Sequence, residues 1–337
     1  MSAPPLLELS NVSTHYVSAR GARVVRAVDD VSLRVEAGET LGIVGESGSG
    51  KSTLALTIQR LLPPAARITG GRVLFDGEDL LLKSEAEMRR VRGKRIAMIL
   101  QDPMASLNPL FTIGDQVGET LRVHNGVSRR AAWQRACDLL KDVRIPSPET
   151  RLGQHPHEMS GGMRQRIVGA IGISCEPRLL IADEPTTSLD LTIQAQYLAL
   201  LRDLQRAHGL ALIFITHNLG IVAKMCDQLA VMYAGRVVEA GPVRQLFRAP
   251  SHPYTKALLN SIPRMLDERK RLTAIDGQPP DLTSLPPGCA FGPRCPQAIE
   301  RCRHEPPPET IQTDGRAVRC WHSARVAAEP LQTGPYT

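Results

Sequence analysis

Aromatic residues are scarce: 337 residues hold five Phe, five Tyr and two Trp. That is poor material for the stacking platforms on which single-stranded nucleic-acid binders rely. Long apolar runs are missing as well. The longest, LALIFI at 210–215, falls far short of the roughly 20 residues that cross a bilayer. MSAPPLLELSNVSTHY has no basic segment followed by an apolar run, so no secretory signal is expected, and the chain is expected in the cytosol or docked on a membrane through partners. The net charge of +7 is spread over RGARVVR, MRRVRGKR and PRMLDERKR without forming a stripe. No nucleic-acid partner is expected from it, and a membrane-proximal role suits the charge equally well. No internal repeat is visible. Apolar content of 42% and charge of 22% are ordinary for a globular protein, and the length suggests about two domains.

What is present is an alternation of apolar runs and helical segments. VVRAVDDVSLRVE (24–36) reads as a strand of period two. LGIVG (41–45) is a short buried strand that breaks into glycines and then into the helical KSTLALTIQRLL. VLFDGEDL carries an Asp-Gly turn and predicts a peripheral hairpin. RIAMIL (95–100), LLIAD (179–183) and ALIFI (211–215) predict further strands, and 112–175 reads mainly as helices. The expected fold class is α/β: a mixed, mainly parallel sheet with an antiparallel β subdomain and a helical subdomain at about 112–175. The character changes after HPYTKALLNSI, where QPP, LPP and EPPP accumulate. A boundary is placed at 263–275, giving domains of 1–262 and 263–337, the second small, loop-rich and cysteine-bearing.

GESGSGKS, from Gly45 through Glu46, Ser47, Gly48, Ser49, Gly50 and Lys51 to Ser52, matches the Walker A pattern between a strand and a helix. Glycines let successive backbone N–H groups face phosphate oxygens, and the helix N-terminus adds a favourable dipole. Lys51 is expected on the β- and γ-phosphates, with Ser52 on Mg²⁺ and Thr53 behind it. In LLIADEP, Asp183 leaves the end of a buried strand to hold Mg²⁺, and Glu184 is placed to orient or deprotonate the attacking water. The chain is therefore expected to bind and hydrolyse a nucleoside triphosphate.

HPHEMSGGMRQR (155–166) narrows the class. Ser160, Gly161, Gly162 and Met163 resemble the LSGGQ signature of ATP-binding cassette (ABC) proteins, with Met159 and Met163 in the variant form of one transporter subfamily. The resemblance implies further roles. Gln101 in ILQDPMASLNP stands as the Q-loop residue on Mg²⁺ and water. Ser188, Leu189 and Asp190 stand as the D-loop, His217 in FITHN as the switch histidine, and Tyr16 as the aromatic residue stacked on adenine. It implies a P-loop cassette fold that acts as a dimer with its signature working in trans, so a second ATPase subunit, a copy or a paralogue, is needed.

VGESGSGKS, LQDPMASLNP, SGGMRQR, LLIADEPTTSLD, TIQAQ and HPYTKALL are similar to oligopeptide, dipeptide and nickel import ATPases. That likeness implies two permease subunits, an extracytoplasmic solute-binding protein, a place on the cytoplasmic face of the bacterial inner membrane, and a segment 102–112 that meets a permease helix. The alternatives are an importer of nickel or another small solute, and a soluble ABC ATPase acting on nucleic acid or ribosomes.

Cys137, Cys175 and Cys226 stand singly in apolar or helical surroundings and are expected to be buried. Cys289, Cys295, Cys302 and Cys320 are spaced C-x5-C-x6-C-x17-C, which fits neither a common zinc ribbon nor a bacterial ferredoxin run. A reducing compartment disfavours a disulfide, so the alternatives are no metal, Zn²⁺ or a 4Fe–4S cluster. The resemblance favours the cluster. His304 and His322 lie close by and are expected to be solvated.

Overall fold

The computed structural model describes residues 4–18, 23–102, 106–187, 189–261 and 275–323. These fall into two compact units, one drawn from segments 1–35, 40–81 and 216–337 and the other from 36–39 and 82–215.

In the first unit, β1 (Leu7–Val17), β2 (Val24–Val35), β4 (Ala66–Phe75) and β5 (Glu78–Asp79) form an antiparallel sheet in the order β2-β1-β4-β5. β4 and β5 are the hairpin expected at the Asp-Gly turn, with Leu74 opposite Asp79 and Phe75 opposite Glu78. β1 was not expected. Asn11 has φ 52°, and the pairing slips between Leu9 and Val12, so the buried positions run Leu7, Leu9, Val12 rather than strictly alternating. A second sheet runs β11 (Thr310–Ile311), β12 (Ala317–Val318), β10 (Arg236–Pro242), β9 (Gln228–Tyr233), β3 (Thr40–Val44). β3 and β9 are parallel, with Val44 opposite Val231. All five residues of β3 are buried, which is why it reads as a continuous apolar run.

The tail from residue 275 belongs to this unit. Phe291 is 2% exposed and joins a core of Val44, Val231, Tyr233, Leu246 and Tyr254. Among the described residues the tail carries only the short helices Gly292–Arg294 and Arg301–His304 and the two-residue strands β11 and β12, and it places an aromatic ring in the core, worth about 1.5–3 kcal/mol of burial. Arg316 meets the fully buried Glu239 at 3.4 Å, and Arg319 meets Asp30 at 2.8 Å. The boundary expected at 263–275 falls, apart from residue 275, on residues 262–274, which lie outside the described set.

In the second unit, β6 (Ile96–Ile99), β7 (Leu179–Asp183) and β8 (Ala211–Ile215) are parallel, with Ile96 opposite Leu179 and Asp183 opposite Ile215. Helices Ile113–Asn125, Arg129–Asp142, Pro148–Arg151 and Gly161–Ile173 occupy the span expected to be helical. Their starts follow from serine and threonine caps. Thr112, Ser128 and Ser160 accept from the N–H groups of Asp115, Ala131 and Met163. Cys137 and Cys175 are buried; Cys226, in the first unit, is half-buried.

Candidate active site

The phosphate loop lies in the first unit. Gly50 caps helix Lys51–Ile58 with φ 102°, and a side chain there would run into the carbonyl of Ala27. Only glycine satisfies both demands. Gly235 N–H donates to Ser49 O at 3.0 Å, tying the loop to the β9–β10 turn. Lys51 is buried, and its Nζ donates to Gly45 O and Glu46 O, each at 2.9 Å, and to Ser49 Oγ at 3.4 Å. Its ammonium is thus held over the loop by neutral acceptors that phosphate oxygens can displace. Ser47 and Gly48 are exposed at the crown of the loop, and Ser52 is exposed on the first helical turn. Tyr16 is half-buried with its hydroxyl 3.4 Å from Thr53 Oγ1, so it stands beside the loop. His217 is exposed between β8 and helix Leu219–Met225, whose cap Asn218 accepts from Gly220 and Ile221 N–H groups.

The carboxylate pair lies in the second unit. Asp183 ends β7 and is 4% exposed. Glu184 leaves the strand with φ 45°, a conformation that costs a non-glycine residue about 1–3 kcal/mol. Its N–H donates to Ile215 O at 2.9 Å, which holds the bend in place. Gln101 Nε2 donates to Glu184 Oε2 at 3.3 Å and Thr187 Oγ1 donates to the same oxygen at 2.9 Å. Gln101 and Glu184, separated by 83 positions, are thereby brought together, and Thr187 is a partner that the sequence reading missed. Two donors on one oxygen orient the carboxylate, a group whose chemistry allows it to accept a proton. Gln101 and Asp183 offer amide and carboxylate oxygens, and Ser52 in the first unit offers a hydroxyl; oxygen donors of this kind are the ones that Mg²⁺ takes.

The signature residues are also in the second unit. Ser160 is the exposed cap of helix Gly161–Ile173 and Met159 is buried. A Cβ on Gly161 would meet nothing within 4 Å among the described residues, which leave its backbone open to an approaching group. A Cβ on Gly162 would lie 2.8 Å from Ile193 Cγ2. Asp190 caps helix Leu191–His208, accepting from Thr192 and Ile193 N–H groups at 3.0 Å each. Leu189 is half-buried, and Ser188 lies outside the described residues.

Cys289, Cys295, Cys302 and Cys320 are free thiols that act on one another electrostatically, and burial pushes Cys320 up to about 12. They share one neighbourhood. Among the described residues no group of three or more His, Cys, Asp or Glu side chains is placed to hold a metal, so the arrangement lends no support to Zn²⁺ or a 4Fe–4S cluster.

Two more residues were missed because their partners are remote in sequence. Tyr254 accepts from Glu46 N–H at 2.9 Å, and Arg294 pairs with the Glu46 carboxylate at 2.7 Å. HPYTKALL and PRCP were visible as a mark of likeness and as a cysteine context, without a target.

The model for ABC transporters matches residues 28–187, and that for the oligopeptide/dipeptide transporter C-terminal region matches 238–302. A probable peptide ABC transporter ATP-binding protein of Sinorhizobium fredii, y4tR, is 51% identical over 95% of this chain and 96% of its own. The dipeptide transport ATP-binding protein DppD of Bacillus subtilis is 48% identical over 98% of each chain. Its counterpart in Escherichia coli is 46% identical over 96% of this chain and 99% of its own. Among solved structures, the dimeric ATP-binding cassette MJ0796 in a post-hydrolysis state with ADP and Pi superposes with a TM-score of 0.63 at 26% identity, covering 71% of this chain and 99% of that one. Phosphate loop, carboxylate pair, signature helix and near full-length relatives agree: the chain belongs to the ATP-binding proteins of ABC transporters, in the branch that carries the oligopeptide/dipeptide transporter C-terminal region.

Proposed function

We propose that this chain is the subunit whose ATP hydrolysis energises import of di- or oligopeptides across the bacterial inner membrane, from its cytoplasmic face. The observation that carries the peptide assignment is the likeness, over nearly the whole chain and including the C-terminal region, to proteins named for dipeptide transport. Lys51 and the loop Gly45–Thr53 take the triphosphate, with Tyr16 beside adenine and His217 at the γ-phosphate. Asp183, Gln101 and Ser52 serve Mg²⁺, and Glu184 takes the proton of the attacking water. Ser160, Gly161, Gly162 and Met163, with Ser188, Leu189 and Asp190, complete the site of a second ATPase subunit, a copy or a paralogue. The division into a nucleotide-binding domain at 1–262 and an accessory domain at 263–337 is part of the same proposal.

Two permease subunits and an extracytoplasmic binding protein complete the importer. Among the described residues no helix is long and apolar enough to cross a membrane. Leu110 and Phe111 are 81% and 54% exposed, an apolar pair suited to a permease helix at the segment after Gln101. The zinc or iron–sulfur reading of the four thiols rests on their shared neighbourhood and the family resemblance; iron, sulfide and zinc analysis of anaerobically purified protein decides it.

The test is uptake of a labelled dipeptide into proteoliposomes that hold the chain with its co-purified partners and internal ATP. Uptake that Lys51→Ala abolishes supports the proposal. Co-purification with no membrane protein, together with ATPase activity stimulated by DNA or ribosomes, overturns it.

A further inference from the structure

The phosphate loop contains an acidic residue that its chemistry does not ask for. Glu46 sits second in GESGSGKS, where a carboxylate repels the phosphates that the loop must bind. The structure supplies an answer from 248 positions away. Arg294 Nη1 donates to Glu46 Oε2 at 2.7 Å and Nη2 donates to Glu46 Oε1 at 3.0 Å, a bidentate pair. The remaining three N–H groups of the guanidinium are used as well. Nε donates to Asp276 O at 2.9 Å, Nη1 to Tyr233 Oη at 3.2 Å and Nη2 to Ile275 O at 3.2 Å. All five donors of the fork are engaged, and the Arg294 side chain is 4% exposed.

The seat of this arginine is equally specific. It closes the single turn Gly292–Arg294, between Phe291 in the core and Cys295 in the thiol neighbourhood. The guanidinium carbon lies 5.8 Å from the centre of the Tyr233 ring and 6.0 Å from that of Phe291. Tyr233, Tyr254 and Phe291 pack with ring centres 4.6–5.3 Å apart. Tyr254 carries the second hold on the loop, its hydroxyl oxygen accepting from Glu46 N–H at 2.9 Å. Glu46 O in turn accepts from Lys51 Nζ at 2.9 Å. One loop residue is therefore fixed at its carboxylate and its amide by the C-terminal part of the chain, and at its carbonyl by the phosphate-binding lysine.

Stability is a poor explanation for such a pair, because desolvation of two charges offsets most of their attraction. Position and charge balance are what it supplies. We propose that Arg294 is a positioning residue of the nucleotide site: by neutralising and holding Glu46 it sets the conformation and charge of the phosphate loop, which makes the cysteine-bearing segment part of the apparatus that determines affinity for ATP. This rests on the reading of Gly45–Ser52 as the phosphate loop.

The test is a double-mutant cycle on the full chain, read as affinity for trinitrophenyl-ATP and as KM and kcat for ATP, with circular dichroism to confirm folding. Arg294→Ala is expected to weaken nucleotide binding about tenfold, a coupling of ordinary size for residues in one ion-pair network, and to raise KM more than it lowers kcat. Adding Glu46→Ala to Arg294→Ala is expected to recover affinity, since the unbalanced carboxylate is then gone. Arg294→Lys keeps the charge and cannot form the bidentate pair, and is expected to lose affinity several-fold; it serves if the alanine form does not fold. Wild-type affinity in a folded Arg294→Ala or Arg294→Lys protein overturns the proposal, as does a double variant whose loss is the product of the two single losses. Lys51→Ala separates the two failures. If it too binds nucleotide normally, the phosphate-loop reading is wrong; if it alone loses affinity, only the Arg294 role fails.

Discussion

His252 shows how one residue links the two parts of the first unit. It is 1% exposed, its Nδ1 accepts from Tyr254 N–H at 3.0 Å to cap helix Pro253–Asn260, and its own N–H donates to Glu239 at 3.0 Å. Burial pushes its pKa down from 6.5 to about 3. A base whose folded pKa is depressed contributes its full stability above the unfolded value and loses it as pH falls towards the folded one. Between pH 6.5 and 5 the chain is therefore expected to lose up to about 1.4 kcal/mol per pH unit from this group. His252→Asn keeps a capping side chain and removes the titration. Urea denaturation should then show the stability difference between the two proteins shrink on acidification through that window, while Glu239, whose carboxyl burial pushes up, is common to both. At this scale the sequence was most readable where chemistry is local. Lys51, Asp183 and Glu184 belong to short contiguous motifs, whereas Arg294 and Tyr254 act on Glu46 across a fold that no local pattern encodes.

Elements were legible in proportion to how faithfully they kept their period. β3, β7 and β8 are buried along their whole length and read as apolar runs, and the helices of 112–175 announce themselves through Thr112, Ser128 and Ser160. β1 did not, because the irregular pairing around Asn11 breaks the alternation of LELSNVSTHYV. The signature helix carries a packing demand that the sequence states only as a glycine. With Ile193 Cγ2 2.8 Å from a Cβ at position 162, Gly162→Val forces helices Gly161–Ile173 and Leu191–His208 apart. Overpacking of this kind costs about 1–3 kcal/mol, so the urea midpoint should fall. Gly161→Ala, whose added Cβ meets nothing within 4 Å among the described residues, should leave that midpoint nearly unchanged.

For the whole molecule, the tail is the part that the sequence described least well. Its prolines suggested an appendage, and the structure puts Phe291 into the core of the first unit and three arginines onto Glu46, Glu239 and Asp30. Truncation after residue 275 would bare Tyr233 and Tyr254 and leave Glu239 buried without Arg316, so the shortened chain is expected to lose several kcal/mol and to aggregate on light scattering. A truncated chain as stable as the full one would contradict this packing. The proposed hydrolysis turns on Glu184. Its carboxylate is bent out of β7 and held by Gln101 and Thr187. The most direct measurement is phosphate release from ATP by the purified wild-type chain and by Glu184→Gln, alongside nucleotide binding and size-exclusion chromatography. Glu184→Gln is predicted to bind ATP, to lose nearly all turnover and to accumulate as an ATP-dependent dimer; hydrolysis at the wild-type rate would contradict the assignment.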